Sequence, residues 1–170
     1  PIIIKSEDPM FPFGSVAIAL DKKQDIEIKH LRLNGGSEKF AGGIFFNGAL
    51  SIHNANITMD SCRIEASKGD DGINFKNSNV KILDCHFIDN YSDHIDLDFC
   101  EAIVQSSEFN NPMVSNFGDA IDLSGSHAMI VKNKIVKSGD KGISVGENSK
   151  VIVKRNSISN NVLGIAVKDS

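Results

Sequence analysis

Tryptophan is absent from this 170-residue chain and Tyr91 is its one tyrosine, so the aromatic platform on which a dedicated carbohydrate-binding module stacks sugar rings is thin. No apolar run is long enough to cross a bilayer, which excludes membrane insertion by a helix. No charged-then-apolar leader opens the chain, where Pro1-Ile2-Ile3-Ile4 already reads as strand, so residues 1–170 are expected to be one domain of a longer protein. Lysines and arginines number 18 against 22 aspartates and glutamates, for a net charge of −4, and the basic residues are scattered. A phosphate-tracking groove needs a basic stripe, so nucleic acid is not an expected partner.

What the chain does have is a repeated phrase: Gly43-Ile44-Phe45-Phe46, Gly72-Ile73-Asn74-Phe75, His94-Ile95-Asp96-Leu97, Ala120-Ile121-Asp122-Leu123, Gly142-Ile143-Ser144-Val145 and Gly164-Ile165-Ala166-Val167. From Ile73 to Ile165 the isoleucine column steps by 22, 26, 22 and 22 residues, a period that marks stacked-coil proteins. A second column runs half a coil away, through Ile57/Met59, Val80/Ile82, Ala102/Val104, Ala128/Ile130 and Val151/Val153. It is followed by Cys62-x-Ile64, Cys85-x-Phe87, Ser107-x-Phe109, Asn133-x-Ile135 and Asn156-x-Ile158. The apolar period is two, and polar clusters such as Ser67-Lys68-Gly69-Asp70 separate the runs, so each coil is two or three short strands. Such a coil cannot bury its apolar face alone; successive coils stack about 4.8 Å apart around one core. The expected fold is an all-β parallel β-helix of about six to seven coils.

Finer features follow from the same alignment. Cys62 and Cys85 fall in one column, at a spacing that suits either stacked thiols or a disulfide. Cys100 shares a turn column with Ser78, Ser126 and Asn148 and reads as a small turn residue rather than a nucleophile. Phe46, Phe75, Phe87 and Phe109 read as core stacks, and Asn133 with Asn156 as an internal amide ladder. Val16–Leu20 and Ile26–Ile28 read as strands of an opening coil joined by the charged turn Asp21-Lys22-Lys23-Gln24. Between Phe46 and Ile57 the spacing is too long, so an insertion is expected to bulge out around Leu50-Ser51-Ile52-His53. A final coil ending at Ser170 would leave unpaired backbone open to end-to-end association.

Outward positions carry any function. With Ile95 and Leu97 inward, alternation sends His94, Asp96 and Asp98 outward. The column after the isoleucine then reads Phe45, Asn74, Asp96, Asp122, Ser144, Ala166, and the column two before it Gly42, Asp71, Asp93, Asp119, Lys141, Leu163. Between them the nearly bare column Gly43, Gly72, His94, Ala120, Gly142, Gly164 forms the floor of a shallow trough in which His94 stands. Like charges stacked on a sheet are unfavourable, so Asp96 over Asp122 calls for a bound cation, a shared proton or a ligand. A structural reading stands beside each: Asp71, Asp93 and Asp119 suit turn closure, Lys141 a solvated lysine, and His94 an incidental surface histidine.

The phrases Gly72-Ile73-Asn74-Phe75 and Ala120-Ile121-Asp122-Leu123, with the Asn-x-Ile half-coils, resemble the right-handed parallel β-helix repeats of the pectate-lyase-like superfamily. The run from Lys141 to Asp169 is also similar to β-helix segments of large secreted bacterial proteins, which implies a secreted or cell-surface location. The superfamily resemblance implies lysis, hydrolysis or epimerisation of acidic polysaccharides. Gly69-Asp70-Asp71-Gly72 resembles the paired aspartates of polygalacturonases, although the companion Asn-Thr-Asp, His-Gly and Arg-Ile-Lys elements are missing. Ser92-Asp93-His94-Ile95-Asp96 is similar to the Asp-Pro-His element of alginate epimerases without its proline. On this resemblance Asp93, Asp96, Asp98 and Asp122 would hold Ca²⁺, Lys141 or His94 would serve as base, and Asp71 and Asp119 would join them as catalytic carboxylates. Asn74, Asp96, Asp122 and Ser144 would line the substrate. Two functions are therefore expected: a β-helix acting on or binding a uronate polysaccharide, or a non-catalytic structural or adhesion solenoid of a larger secreted protein.

Overall fold

The computed structural model describes residues 1–8, 10–112 and 117–168. The chain opens with β1 (Ile2–Lys5), β2 (Val16–Ala19), β3 (Asp25–Lys29) and β4 (Leu31–Asn34), then a hairpin of β5 (Lys39–Ala41) and β6 (Ile44–Phe46). Five regular turns follow. They are β7 (Gly48–His53), β8 (Asn56–Asp60) and β9 (Arg63–Glu65); β10 (Asp71–Lys76), β11 (Asn79–Leu83) and β12 (His86–Ile88); and β13 (Asp93–Asp98), β14 (Glu101–Gln105) and β15 (Glu108–Asn110). The last two are β16 (Ile121–Ser124), β17 (His127–Val131) and β18 (Lys134–Val136), then β19 (Lys141–Gly146), β20 (Lys150–Lys154) and β21 (Ser157–Ser159), closed by β22 (Leu163–Val167).

These strands form three parallel sheets around one core: sheet I is β1-β4-β9-β12-β15-β18-β21, sheet II is β2-β7-β10-β13-β16-β19-β22, and sheet III is β3-β8-β11-β14-β17-β20. The parallel solenoid expected from the repeat is therefore present, with slightly fewer regular turns than the six to seven anticipated. Vertical reading is also right: Asn74 pairs with Asp96, Asp96 with Asp122, and Asp122 with Ser144. The expected bare edge at Ser170 lies outside the described residues; β22 is the last described strand, and its column residues Ile165 and Val167 are 48% and 80% exposed.

Each sheet buries alternate residues, Ile73/Phe75 on sheet II and Val80/Ile82 on sheet III, for example, while Phe87 and Phe109 on sheet I stack with ring centroids 4.7 Å apart and planes 2° from parallel. The corner from sheet III to sheet I turns on a single residue at positive φ, in the column Ser61, Asp84, Ser106, Lys132 and Arg155, whereas sheet I passes to sheet II through loops of three or more residues. Immediately after each corner a short polar side chain accepts the backbone N–H of the turn below. In one such ladder Cys62 N–H points to Cys85 Sγ, Cys85 N–H to Ser107 Oγ, Ser107 N–H to Asn133 Oδ1, and Asn133 N–H to Asn156 Oδ1. Backbone groups freed by the bend are thereby paired inside the wall. Cys62 and Cys85 are stacked free thiols in this ladder, and the Asn133–Asn156 amide ladder is formed as expected, Asn133 Nδ2 donating to Asn156 Oδ1 at 3.0 Å. Cys100 N–H is accepted by Ser126 Oγ, and Ser126 N–H by Ser149 Oγ, so Ser149 and not Asn148 completes that column. Glu147 and Asn148 are both at positive φ, and their longer corner shifts the ladder by one residue.

Two larger corrections concern the opening half. The phrase Gly43-Ile44-Phe45-Phe46 is not a rung of sheet II. It belongs to the antiparallel hairpin, in which Ala41 faces Ile44 across the two-residue turn Gly42-Gly43. Both glycines hold positive φ, 58° and 81°, the conformation that the twist of a two-residue hairpin demands. The rung is instead β7, with Leu50 beside Ile73, Ser51 beside Asn74 and Ile52 beside Phe75, so Ser51 replaces Phe45 in the functional column and the insertion is the hairpin. Phe46 packs its ring on His53, 5.3 Å between centroids, rather than in a core stack with Phe75.

Asn133→Ala removes the acceptor of the Ser107 N–H and the donor to Val104 O, both inside the wall. It should lower unfolding free energy by about 2 kcal/mol or more in urea denaturation, against under about 0.5 kcal/mol for the surface substitution Asn79→Ala.

Candidate functional site

The outer face of sheet II carries the acidic side chains, and a local break in alternation brings them together. In β13 both His94 and Ile95 are buried, as are Gly72 and Ile73 in β10. The chain is still turning the corner from sheet I at this point, so strict alternation begins only at the isoleucine. Two consecutive inward residues leave positions three apart, Asp93 and Asp96 or Asp119 and Asp122, on the same outer face.

His94 is therefore not in the trough. Its side chain is fully buried, with its ring 6.3 Å from that of Phe87 and 5.9 Å from that of Phe109. Asn90 Nδ2 lies 2.8 Å from His94 Nδ1. Burial pulls its pKa down to about 3, so it is a neutral core imidazole and not a surface base. The column expected to be the trough floor is part of the wall: a Cβ at Gly72 would lie 2.7 Å from His94 O and 2.8 Å from Asn90 Nδ2.

Carboxylate oxygens of Asp93, Asp119 and Asp122 lie within 4.8 Å of one another. Backbone amides fix two of them: Asp93 Oδ1 accepts Asp119 N–H at 2.6 Å, and Asp119 Oδ1 accepts Lys141 N–H at 2.8 Å. Turn closure and convergence are thus the work of the same residues. Of the four carboxylates expected to ligate a metal, Asp93 and Asp122 join this cluster. Asp96 and Asp98 are instead drawn to Asn74, whose Nδ2 lies 2.9 Å from Asp96 Oδ2 and 3.4 Å from Asp98 Oδ2. Asp119, expected to be catalytic, completes the trio.

The cations nearby are already engaged. Lys141 Nζ pairs with Asp140 and lies 3.3 Å from Asp119 Oδ1, and Lys168 Nζ lies 3.6 Å from Asp122 Oδ1. Burial alone would lower the Lys141 pKa, but the pairs with Asp140 and Asp119 outweigh it and raise it above the ordinary lysine value. That is the wrong direction for a general base. Asp71, Asp93, Asp96 and Asp98 have no ion-pair partner among the described residues. Burial, reinforced by Asp96 and Asp93, pushes Asp71 up to about 10, and its Oδ2 is buried without a hydrogen bond. Burial, then Asp98 and Asp122, raises Asp96 to about 8; burial, then Asp119 and Asp122, raises Asp93 to about 7. Ser144 Oγ, next to Asp122 in register, is likewise buried and unpartnered.

The alignment missed His53, which it placed in a bulge. Its Nε2 lies 3.2 Å from Asn74 Oδ1 at the head of the strip, and burial lowers its pKa. The seven-residue step from Leu50 to Ile57, equal to those from Ile73 to Val80 and Ile95 to Ala102, is the signal that would have put β7 in register. Two surface cavities lie away from the strip, one of about 680 Å³ on sheet III beside Asn56 and Asn79, the other of about 480 Å³ beside Arg32 and Arg63.

A family model described as a right handed beta helix region matches residues 71–170, more than half of the chain and starting with β10. No curated protein and no solved structure matches the chain.

The raised aspartate values carry a sign. A folded aspartate that holds its proton to about 7 (Asp93) or about 8 (Asp96), against about 3.9 unfolded, stabilises the fold fully below the unfolded value and loses that contribution as pH rises through the folded one. With a chelator present, the thermal midpoint should therefore fall between about pH 5 and about pH 8, and Asp93→Asn should flatten the lower part of that fall. Melting curves across this range, with and without the substitution, check it.

Proposed function

Since this chain belongs to the right-handed β-helix family, we propose that sheet II is a calcium-dependent binding strip for an acidic, uronate-type polysaccharide outside the cell or at its surface. The observation that carries this reading is the convergence of Asp93, Asp119 and Asp122, with Asp71 and Asp96 crowded beside them and, among the described residues, no cation against those two. Calcium takes six to eight oxygen ligands at about 2.3–2.6 Å, so oxygens on opposite sides of one ion stand up to about 5 Å apart. A trio of carboxylate oxygens within 4.8 Å fits that shell, and the donor set is entirely hard oxygen. Asp93, Asp119 and Asp122 would hold the ion, with Asp71 and Ser144 flanking them in the two files. Bound there, calcium supplies the positive charge against which a ligand carboxylate can rest.

Without such a charge the trio offers a polyanion no free cation among the described residues, because Lys141 and Lys168 are already paired with aspartates. Asn74 and Ser51 continue the column beyond the acidic rungs as buried groups, Asn74 bonded to His53 and Asp96 and Ser51 to Gly48. Turnover has less support than binding. Lys141 is held in ion pairs, His94 is in the core, and the arginines lie elsewhere: Arg32 and Arg63 on sheet I and Arg155 at a corner.

Calorimetric titration with calcium should show binding that Asp93→Asn or Asp122→Asn weakens by about tenfold or more, the loss of one charge-assisted ligand. Retention on immobilised polygalacturonate or alginate should appear with calcium and vanish with chelator. No rise in the ultraviolet absorbance of an unsaturated uronate is expected. Calcium-independent retention, or no heat of calcium binding, would sink the proposal, and an unsaturated product would replace binding with lysis.

A further inference from the structure

Sheet I carries two adjacent arginines on another face. Arg32 on β4 is directly opposite Arg63 on β9, and Arg63 is opposite His86 on β12. Neighbouring strands are about 4.8 Å apart, so two guanidinium groups and an imidazole project side by side from the wall of an acidic protein. Directly opposed like charges disfavour a sheet, and nothing in the packing requires arginine at these outward positions.

The surroundings hold one arginine and leave the other free. Arg63 Nε donates to Glu65 Oε2 at 2.7 Å, and Glu65 Oε1 is in turn held by Asn34 Nδ2 at 2.9 Å, which fixes the plane of the fork. The Nη groups of Arg63 and the whole Arg32 guanidinium have no partner among the described residues. The other acids nearby are already engaged: Asp60 accepts Ser61 Oγ at 2.8 Å, and Glu108 is paired with Lys134 at 2.7 Å while standing 3.7 Å from His86 Nδ1. Arg32, Arg63, His30, His86, Ser61 and Cys62 border a cavity of about 480 Å³.

We propose that this cavity binds a tetrahedral oxyanion, sulfate or phosphate, carried as a monoester on a sugar-sized molecule. A planar guanidinium matches the paired oxygens of such a group bidentately, and two adjacent forks with imidazole N–H groups beside them supply more donors than a single carboxylate can use. The volume falls in the range of small-molecule sites and exceeds what a bare ion fills, which points to an ester rather than a free anion. The site is independent of sheet II and needs no metal.

The test is titration of the purified chain with glucose 6-sulfate, glucose 6-phosphate, inorganic sulfate and inorganic phosphate, followed by amide and arginine side-chain NMR shifts. The esters should bind more tightly than the inorganic ions and move the resonances of residues 30–34, 61–65 and 86. Arg32→Gln and Arg63→Gln should each weaken binding by about tenfold or more, and Arg32→Lys, which keeps the charge and loses the fork, by less. Arg32 is exposed, so its variants should fold normally, as the unshifted core resonances would verify. Equal affinity for the inorganic ions would overturn the ester, and binding unchanged in Arg32→Gln would overturn the site. Asp122→Asn should leave all of these affinities alone, so failure of the acidic strip and failure of this cavity are separable.

Discussion

The structure depends on one constraint: the strands of the three parallel sheets give their backbone hydrogen bonds to the strands one turn above and one turn below. In a parallel solenoid there is no other place for them, and the register of each turn is then inherited from its neighbour. Corners are where that rule is strained, because a residue at positive φ interrupts the ladder. The side-chain files that follow the corners, Cys62 to Asn156 on one edge and Ser78 to Ser149 on another, repair the interruption by accepting the amide of the adjacent turn. Cysteine, serine and asparagine share these columns because each is short, tolerates burial and carries one acceptor. That is why the thiols here are structural: Cys85 stands where Asn133 stands, with the same partner geometry.

Inherited register also stacks like on like. In the core this is favourable: Phe87 over Phe109 gives a parallel ring stack. On the outside it is costly, because a column of aspartates puts carboxylates at the strand spacing with the sheet as a low-dielectric backing. The protein answers the cost in two ways that the geometry makes visible. Lys141 and Lys168 pair with Asp119 and Asp122 at one end of the acidic files, whereas Asp71, Asp93 and Asp96 toward the other end have no cation beside them among the described residues and hold protons well above the usual aspartate range.

The periodic part of this architecture was open to reading from residues alone, because stacking converts alignment into adjacency: Asn74, Asp96, Asp122 and Ser144 were neighbours on paper and are neighbours in space. Where the reading failed, a local backbone feature had broken the period. Gly42-Gly43 makes a hairpin turn out of a segment that mimics the repeat, and the seven-residue step from Leu50 to Ile57, shared by Ile73, Ile95 and Ile121, distinguishes mimic from rung. Strict alternation puts His94 on the outer face, but the corner before β13 buries two residues in succession and turns it inward. The same corner explains why Asp119 rather than Asp96 completes the carboxylate trio. Convergence of side chains three positions apart depends on that bend, and alternation alone contains no trace of it.

A solenoid of three sheets offers three nearly independent surfaces, and this chain writes a different electrostatic text on each. Sheet II is acidic, sheet I bears the two arginines, and the sheet III groove carries the amides of Asn56 and Asn79, which are bonded to each other and to Asp25. Fixed columns of one sign are a poor design for turnover at a point, which needs a base, an acid and a stabilising charge of different kinds within a few ångströms. They are a good design for holding a polymer, whose own charges repeat along a line as the rungs do. His94 is buried against two phenylalanine rings, and the nearest lysine is held by two aspartates. Groups suited to proton transfer have thus been drawn into packing and ion pairs, which is the physical reason that the proposal for sheet II is one of binding rather than turnover.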